Sequence, residues 1–249
     1  TGAYSIHVLY CASNAAHAHA YGELTDGIQH SDRIQWTKEA DFRKDLVHTL
    51  QGTQTASVCF LVDDIVFIRP MNLDALNRDA IHGGIVSLRL GSNITFCYTK
   101  QKAMQLPTLN PSKKQDDLLK FSWEDGSYDW AYPLSVDGHI FPTSEISVAA
   151  KLLDYRAPNT FERALQILTP LYQKRPGYCF EYPRMFNIPL NRVQNENENI
   201  SSEISPEYLL AKWQEGLTLN FKTLSDTATT SVHEERFISF CERKKNEPQ

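Results

Sequence analysis

The chain has 249 residues, 41% of them hydrophobic, with a formal net charge of -5. That apolar share can bury a sizeable core and excludes a disordered chain, while the acidic balance and the lack of a long Lys/Arg block exclude nucleic acid as a partner. No apolar run approaches the ~20 residues that cross a bilayer and no leader opens the chain, so no transmembrane segment is expected and the protein reads as soluble. The five cysteines, Cys11, Cys59, Cys97, Cys179 and Cys241, are odd in number and widely spaced. They suit a reducing, cytoplasmic setting and offer no zinc knuckle.

Residues 5–12 read as a first strand, and Ser13 or Asn14 caps an alanine-rich helix reaching about Ile28. His17 and His19 lie two apart in that helical pattern, where such a pair splays and makes no metal site. His30 to Asp32 make a turn, Arg33 to Thr37 a short strand, and Ala40 to Leu50 a helix with Phe42, Leu46 and Leu50 on one face. Gly52 to Ser57 end it. Val58 to Val62 then form an unbroken apolar run of the kind found in a covered central strand, ended by Asp63 and Asp64. Strand, helix, strand, helix, strand predicts right-handed crossovers and a parallel sheet, with Tyr10 to Asn14 and the two acids sharing the edge at the strand C-termini. Paired carboxylates there repel unless a cation lies between them, and Mg²⁺ or Mn²⁺ carrying a diphosphate is the economical choice. The plain alternative is an acidic turn capping the next element. The loop after Tyr10 has no glycine until Gly22, so neither a G-x-G-x-x-G fingerprint nor a Walker loop is present. A nucleotide must therefore be held by side chains and a metal.

Leu73 to Ala80 read as a short helix, and Ile85 to Leu90 as a strand in which Arg89 either pairs with a carboxylate or reaches a ligand phosphate. Gly91, Ser92 and Asn93 form a turn that could support a sugar or simply precede a strand at Thr95 to Thr99. Leu106 to Lys120 read as a solvated connection. From Phe121 to Thr143, Trp123, Tyr128, Trp130 and Tyr132 stand among acids, as a sugar-binding surface or as an aromatic core would. Asp137 and His139 flank Gly138; in an extended stretch they point the same way and can serve an acceptor hydroxyl, whereas a turn Asp beside a core His is the alternative. Helices follow at Ser144 to Tyr155 and at Asn159 to Leu168, the latter capped by Asn159 or Thr160. Tyr178 to Leu190 are too proline-rich for a central strand, and Asn191 to Ser202 should be a loop. Ser205 and Pro206 open a last helix over Tyr208 to Glu215 that Gly216 stops, and the charged tail should fray.

The small polar loop after the first strand, the two crossovers, and the apolar strand running into Asp63-Asp64 and on to Pro70 resemble the nucleotide-sugar half of GT-A glycosyltransferases, nearest the family 2 type. The resemblance covers roughly residues 5–100, and its motif is an Asp-Asp variant of Asp-x-Asp, because Ile65 stands two after Asp63; this leaves open which carboxylate touches the metal. It implies a single Rossmann-like α/β domain with a mostly parallel sheet, residues 1–105 forming the donor half and 106–249 the acceptor side. It further implies an inverting, hexosyltransferase-type enzyme that moves a sugar from a UDP-sugar to a hydroxyl of a carbohydrate acceptor. Asp64, with Asp63 beside it, would bind Mn²⁺ or Mg²⁺, and Asp63 would also contact the sugar or ribose. Tyr10, Cys11, Ala12 and Ser13 would lie against the base, with Glu39 or Asp41 as the second-strand acid and Arg89 and Asn93 on the donor. Trp123, Trp130 and Tyr132 would meet the acceptor, Asp137 would be the base with His139 at its side, and Glu124, Asp125 and Asp129 are the next acids to consider. Two other readings remain: a sugar nucleotidyltransferase, although Cys11 to Ala20 lack its glycine- and arginine-rich loop, and a non-catalytic carbohydrate-binding module.

Overall fold

The computed structural model describes residues 2–28, 32–76, 83–112, 117–190, 204–224 and 228–243. Strand β1 (Ile6–Tyr10) pairs in parallel with β2 (Ile34–Lys38), and α1 (Ala15–Ile28) crosses between them. The Asn14 side chain accepts the His17 amide at 2.9 Å to start α1. Helix α2 (Phe42–Gly52) is capped by Asp41, whose carboxylate accepts the Lys44 amide at 3.0 Å, and it buries Leu46 and Leu50. The chain continues through β3 (Ser57–Cys59), β4 (Ile65–Phe67), β5 (Ile85–Ser87), β6 (Phe96–Cys97), β7 (Lys102–Ala103), β8 (Asn110–Pro111), β9 (Leu118–Ser122) and β10 (His139–Pro142). Then come α3 (Thr143–Leu152), α4 (Pro158–Leu165), α5 (Thr169–Tyr172), β11 (Pro176–Phe180), β12 (Met185–Asn187), α6 (Pro206–Gln214), β13 (Leu217–Leu219) and β14 (Phe240–Glu242).

The main sheet has six strands in the order β3-β10-β5-β11-β9-β8. Among the described residues its one parallel pair is β5 with β11; β10 runs against both β3 and β5, and β9 against both β11 and β8. The fold is therefore mixed α/β, and the mostly parallel sheet expected from the element order is not what forms. The cause is local. At Gly138, with φ of +72°, the chain reverses, and the Gly138 amide donates to the Phe60 carbonyl at 2.8 Å, so the following residues run back between β3 and β5. Because β3 and β5 come from the first half of the chain and β10 and β11 from the second, the two halves share one sheet.

Other expectations change as well. β11 is a central strand despite its prolines, because Pro176 is its first residue and Pro183 lies beyond its end, leaving Gly177 to Cys179 to pair on both sides. Gly177 is required there, since a Cβ would run into the Phe121 ring. Leu106 to Lys120 is not wholly a solvated connection, for Leu118 is fully buried in β9. Of the helix expected at Leu73 to Ala80, the described part is a 3₁₀ turn at Leu73–Ala75, and residues 77–82 lie outside the described residues, as do 191–203. The tail begins as β14 on β13, and 244–249 lie outside the description. The last helix starts and stops as read, with Ser205 accepting the Tyr208 amide at 3.1 Å and Gly216 left-handed at φ +79°. The core gathers Ile85, Trp123, Trp130, Phe141, Ile146 and Phe161, each contributing about 1.5–3 kcal/mol or more of burial. Thr160 caps α4 by accepting the Ala157 amide at 2.9 Å.

Candidate functional site

Asp63 and Asp64 occupy the turn between β3 and β4. Two main-chain bonds fix it: the Asp64 carbonyl accepts the Ile188 amide at 2.9 Å, and the Phe60 carbonyl accepts that of Gly138. β12 and the 135–138 loop are thereby set beside the acids. From Asp64 a chain of polar contacts runs inward. Asn187 Nδ2 donates to Asp64 Oδ1 at 2.8 Å, and Arg89 Nη1 donates to Asn187 Oδ1 at 3.1 Å and to Asp137 Oδ2 at 3.3 Å. Arg89 Nη2 donates to Ser135 Oγ at 2.7 Å. The guanidinium is 4% exposed and the Asp137 carboxylate 15%, so the carboxylate is partly open to solvent and the cation lies beneath it. Arg89 Nε finds no partner among the described residues.

A buried cluster with more carboxylates than cations raises the cost of ionising each acid. Burial pushes Asp64 up to about 6, with Asp137 and Asp63 adding to it against the Asn187 hydrogen bond and Arg89. Burial raises Asp137 too, opposed by Arg89 and assisted by Asp63. Asp129 is raised by burial, against Arg89. From α4, Glu162 is pushed up to about 7 by burial and by Asp137. His233 Nε2 lies 3.9 Å from Asp137 Oδ2, and burial, with Arg89, holds this imidazole down to about 3, hence neutral.

At the neighbouring edge, the Tyr10 ring lies 4.6 Å from that of Tyr21 and edge-on to Trp36 at 6.0 Å. Burial and then the Asp63 charge raise the Tyr21 phenol, which joins the end of β1 to the acidic turn. Cys11 is exposed directly after β1, Ala12 follows it, and Ser13 Oγ lies 3.2 Å from His17 Nδ1 at the start of α1. The Glu39 amide donates to the Tyr10 carbonyl at 2.8 Å, and burial raises the Glu39 carboxyl. Asp41 is engaged as the α2 cap and in a 2.8 Å ion pair with Lys44. Both acids border a cleft of about 380 Å³ walled by Phe42, Arg43 and Tyr155.

Four proposed site residues are placed elsewhere. The Asn93 amide donates to the Thr229 carbonyl and so holds the C-terminal segment. Trp123 and Trp130 are fully buried, the latter donating Nε1 to the Ile94 carbonyl at 2.8 Å, so they are core and offer no face to an acceptor. His139 does not stand beside Asp137: the left-handed Gly138 turns it inward, 2% exposed, its Nδ1 3.0 Å from the Pro133 carbonyl and its ring between Trp123 and Phe141. Tyr132 does face the acids, since burial, then Glu162 and Asp137, raises its phenol. Glu124 and Asp125 are exposed.

Asn187, Ser135, Glu162 and His233 escape a reading of the sequence because nothing beside them marks them. His233 arrives through the C-terminal segment, with the Asn187 amide donating to the Val232 carbonyl at 2.9 Å and that of Glu234 to the Asn187 carbonyl at 3.0 Å. Among the described residues, no group of three or more His, Cys, Asp or Glu is arranged to hold a metal by itself, and no helix is long and apolar enough to cross a membrane. Compared with known proteins, the chain matches no protein-family model, no curated protein and no solved structure.

Proposed function

We propose that the protein is a metal-dependent glycosyltransferase that moves a sugar from a nucleoside diphosphate sugar, a UDP-sugar, to a hydroxyl of a carbohydrate acceptor. The observation that carries this reading is the gathering of Asp63, Asp64 and Asp137 around the Arg89–Asn187 chain, next to the aromatic group of Tyr10, Tyr21 and Trp36. The aromatic faces suit a nucleobase, and the acids suit hard cations. Asp63 and Asp64 offer carboxylate oxygens without completing a cage, the donor set expected where substrate phosphates supply the remaining ligands of Mg²⁺ or Mn²⁺. The residues fit such an ion, which when bound supplies charge neutralisation for a departing diphosphate.

The protein's own groups do the rest. Asn187 orients Asp64, Arg89 fixes Asp137, and Asp137 accepts the proton of the incoming hydroxyl. Isothermal titration with a panel of nucleotide sugars, with Mn²⁺ and with EDTA, tests the reading. Binding of a UDP-sugar only in Mn²⁺ is expected; absence of metal-dependent binding across the panel would refute it.

A further inference from the structure

A second cleft, of about 390 Å³, lies between the end of α2 and the start of α3. It is at the far end of β10 from Asp137: Pro142 closes that strand beside Ser57, whereas Gly138 precedes it beside Phe60. Both walls are pinned. Arg43, at the start of α2, donates to the Lys151 carbonyl at 2.8 Å and to that of Leu153 at 3.1 Å, and the Thr143 amide donates to the Ala56 carbonyl at 3.0 Å. The α3 wall consists of donors. Pro142 stands at the cap position and no side chain caps the helix, so the Ser144 and Glu145 amides lack an intrahelical acceptor. The helix's own acid does not fill the place, because Glu145 Oε2 accepts from Tyr172 Oη and from Arg175 Nη1, each at 2.7 Å. Thr143 lines the cleft and is 6% exposed, yet its Oγ1 has no hydrogen-bond partner among the described residues; a buried hydroxyl in that state calls for a partner from outside the chain. Ser144, Ser147 and Lys151 line the cleft too. At spacings of three and four they share a face of α3, and the Lys151 stem leans toward the helix N-terminus.

The opposite wall accepts. Thr53 Oγ1 donates to the Thr49 carbonyl at 2.8 Å and Thr55 Oγ1 to the Ser57 carbonyl at 3.0 Å, so each hydroxyl has only lone pairs left to offer. The Leu50 carbonyl, at the end of α2, is taken by the Thr53 amide at 3.4 Å. A bare anion suits the first wall and not the second. We propose that this cleft is a second ligand site, which binds a phosphate ester of a polyol. The phosphate lies against the first turn of α3, where free amides and the helix dipole favour an anion, with the Thr143 and Ser147 hydroxyls and the Lys151 ammonium as further donors. The polyol hydroxyls donate to Thr53 and Thr55. The site does not rest on the glycosyl-transfer reading.

Amide NMR titration of the full chain with glucose 6-phosphate, in EDTA to keep metal-dependent binding at Asp63 and Asp64 out of the readout, tests the site. Saturable shifts are expected at residues 143–147 and 53–55, with the Ser144 and Glu145 amides moving downfield as they gain an acceptor. Glucose and inorganic phosphate, titrated separately, are each expected to bind ~10-fold or more weakly than the ester, because each engages one wall only. Lys151→Gln, which removes an exposed cation, is expected to weaken the ester about tenfold, and Thr143→Val, which keeps the shape of the side chain, several-fold. An ester that shifts none of these amides overturns the site. Inorganic phosphate bound as tightly as the ester overturns the polyol as part of the ligand, and undiminished affinity in both variants overturns the placement against α3.

Discussion

At Asp64 and His139, burial acts on protonation with opposite signs. Asp64 titrates near 6 in the fold and at 3.8 when unperturbed, so its cost is fully present above pH 6 and fades as pH falls toward 4. Asp64→Asn is therefore expected to raise the melting temperature of the ligand-free protein at pH 7.5 by roughly 2–4 °C, the effect of ~1 kcal/mol in a chain of this size. That gain should vanish near pH 4, while metal-dependent UDP-sugar binding is lost. A melting temperature lower than wild type at pH 7.5 would contradict it. His139 behaves the other way: it stays neutral to about pH 3 when folded against 6.5 unperturbed, so stability is lost as pH drops below 6.5, by about 1.4 kcal/mol per unit. His139→Gln should be less stable than wild type at pH 7 in thermal melts, with the difference narrowing toward pH 5; a constant difference would show that the ring is not buried neutral. For turnover, Asp137→Asn is expected to keep UDP-sugar affinity and lower single-turnover transfer by ~10²–10⁴, the range for a lost general base. Weakened donor binding with near-normal transfer would move Asp137 out of that role.

At the scale of elements, Gly177 in β11 faces the Phe121 ring of β9. Gly177→Ala overpacks this contact and is expected to cost about 1–3 kcal/mol, measured by urea denaturation; an unchanged midpoint would show that the two strands can separate slightly. Helices were legible because caps and periodicity are local: Asn14 and Ser205 make the bonds that their residue types favour, whereas Asp41, read as a candidate base-binding acid, caps α2. The order of the sheet was not. β10 is short, and its insertion between β3 and β5 depends on the Gly138 reversal and on pairing with residues about 50 and 80 positions earlier, which no window of sequence displays. The same division runs through the site. Asp63, Asp64, Arg89 and Asp137 stand out as charges in apolar company, whereas Asn187 and Glu162 become functional candidates only when β12 and α4 are in place. The aromatic run around Trp123 and Trp130 misled for a related reason, since large rings beside acids look alike in a core and in a sugar cleft.

Across the whole molecule, residues 229–234 act as a strap behind the site. The Thr230 carbonyl accepts the Thr95 amide at 2.9 Å and the Phe96 amide at 3.0 Å, and Val232 and Glu234 bracket Asn187. Removing residues 228–249 strips the buried Val232 and the His233 contact with Asp137. If the full chain shows the expected rise in melting temperature with UDP in Mn²⁺ and a much smaller one in EDTA, the shortened chain is expected to lose it. A full rise in the shortened chain would show the strap to be dispensable.

The strap also orders events in time. During synthesis the acids of the β3–β4 turn emerge early, Asp137 and Glu162 much later, and His233 later still. Contacts this distant along the chain close slowly and late, so a ribosome-bound chain that has not yet exposed Val232 carries every carboxylate of the cleft but lacks the segment that holds Asn187. Such an intermediate would leave Asn187 and the Thr95–Phe96 amides without the backbone partners that the strap supplies until translation is completed.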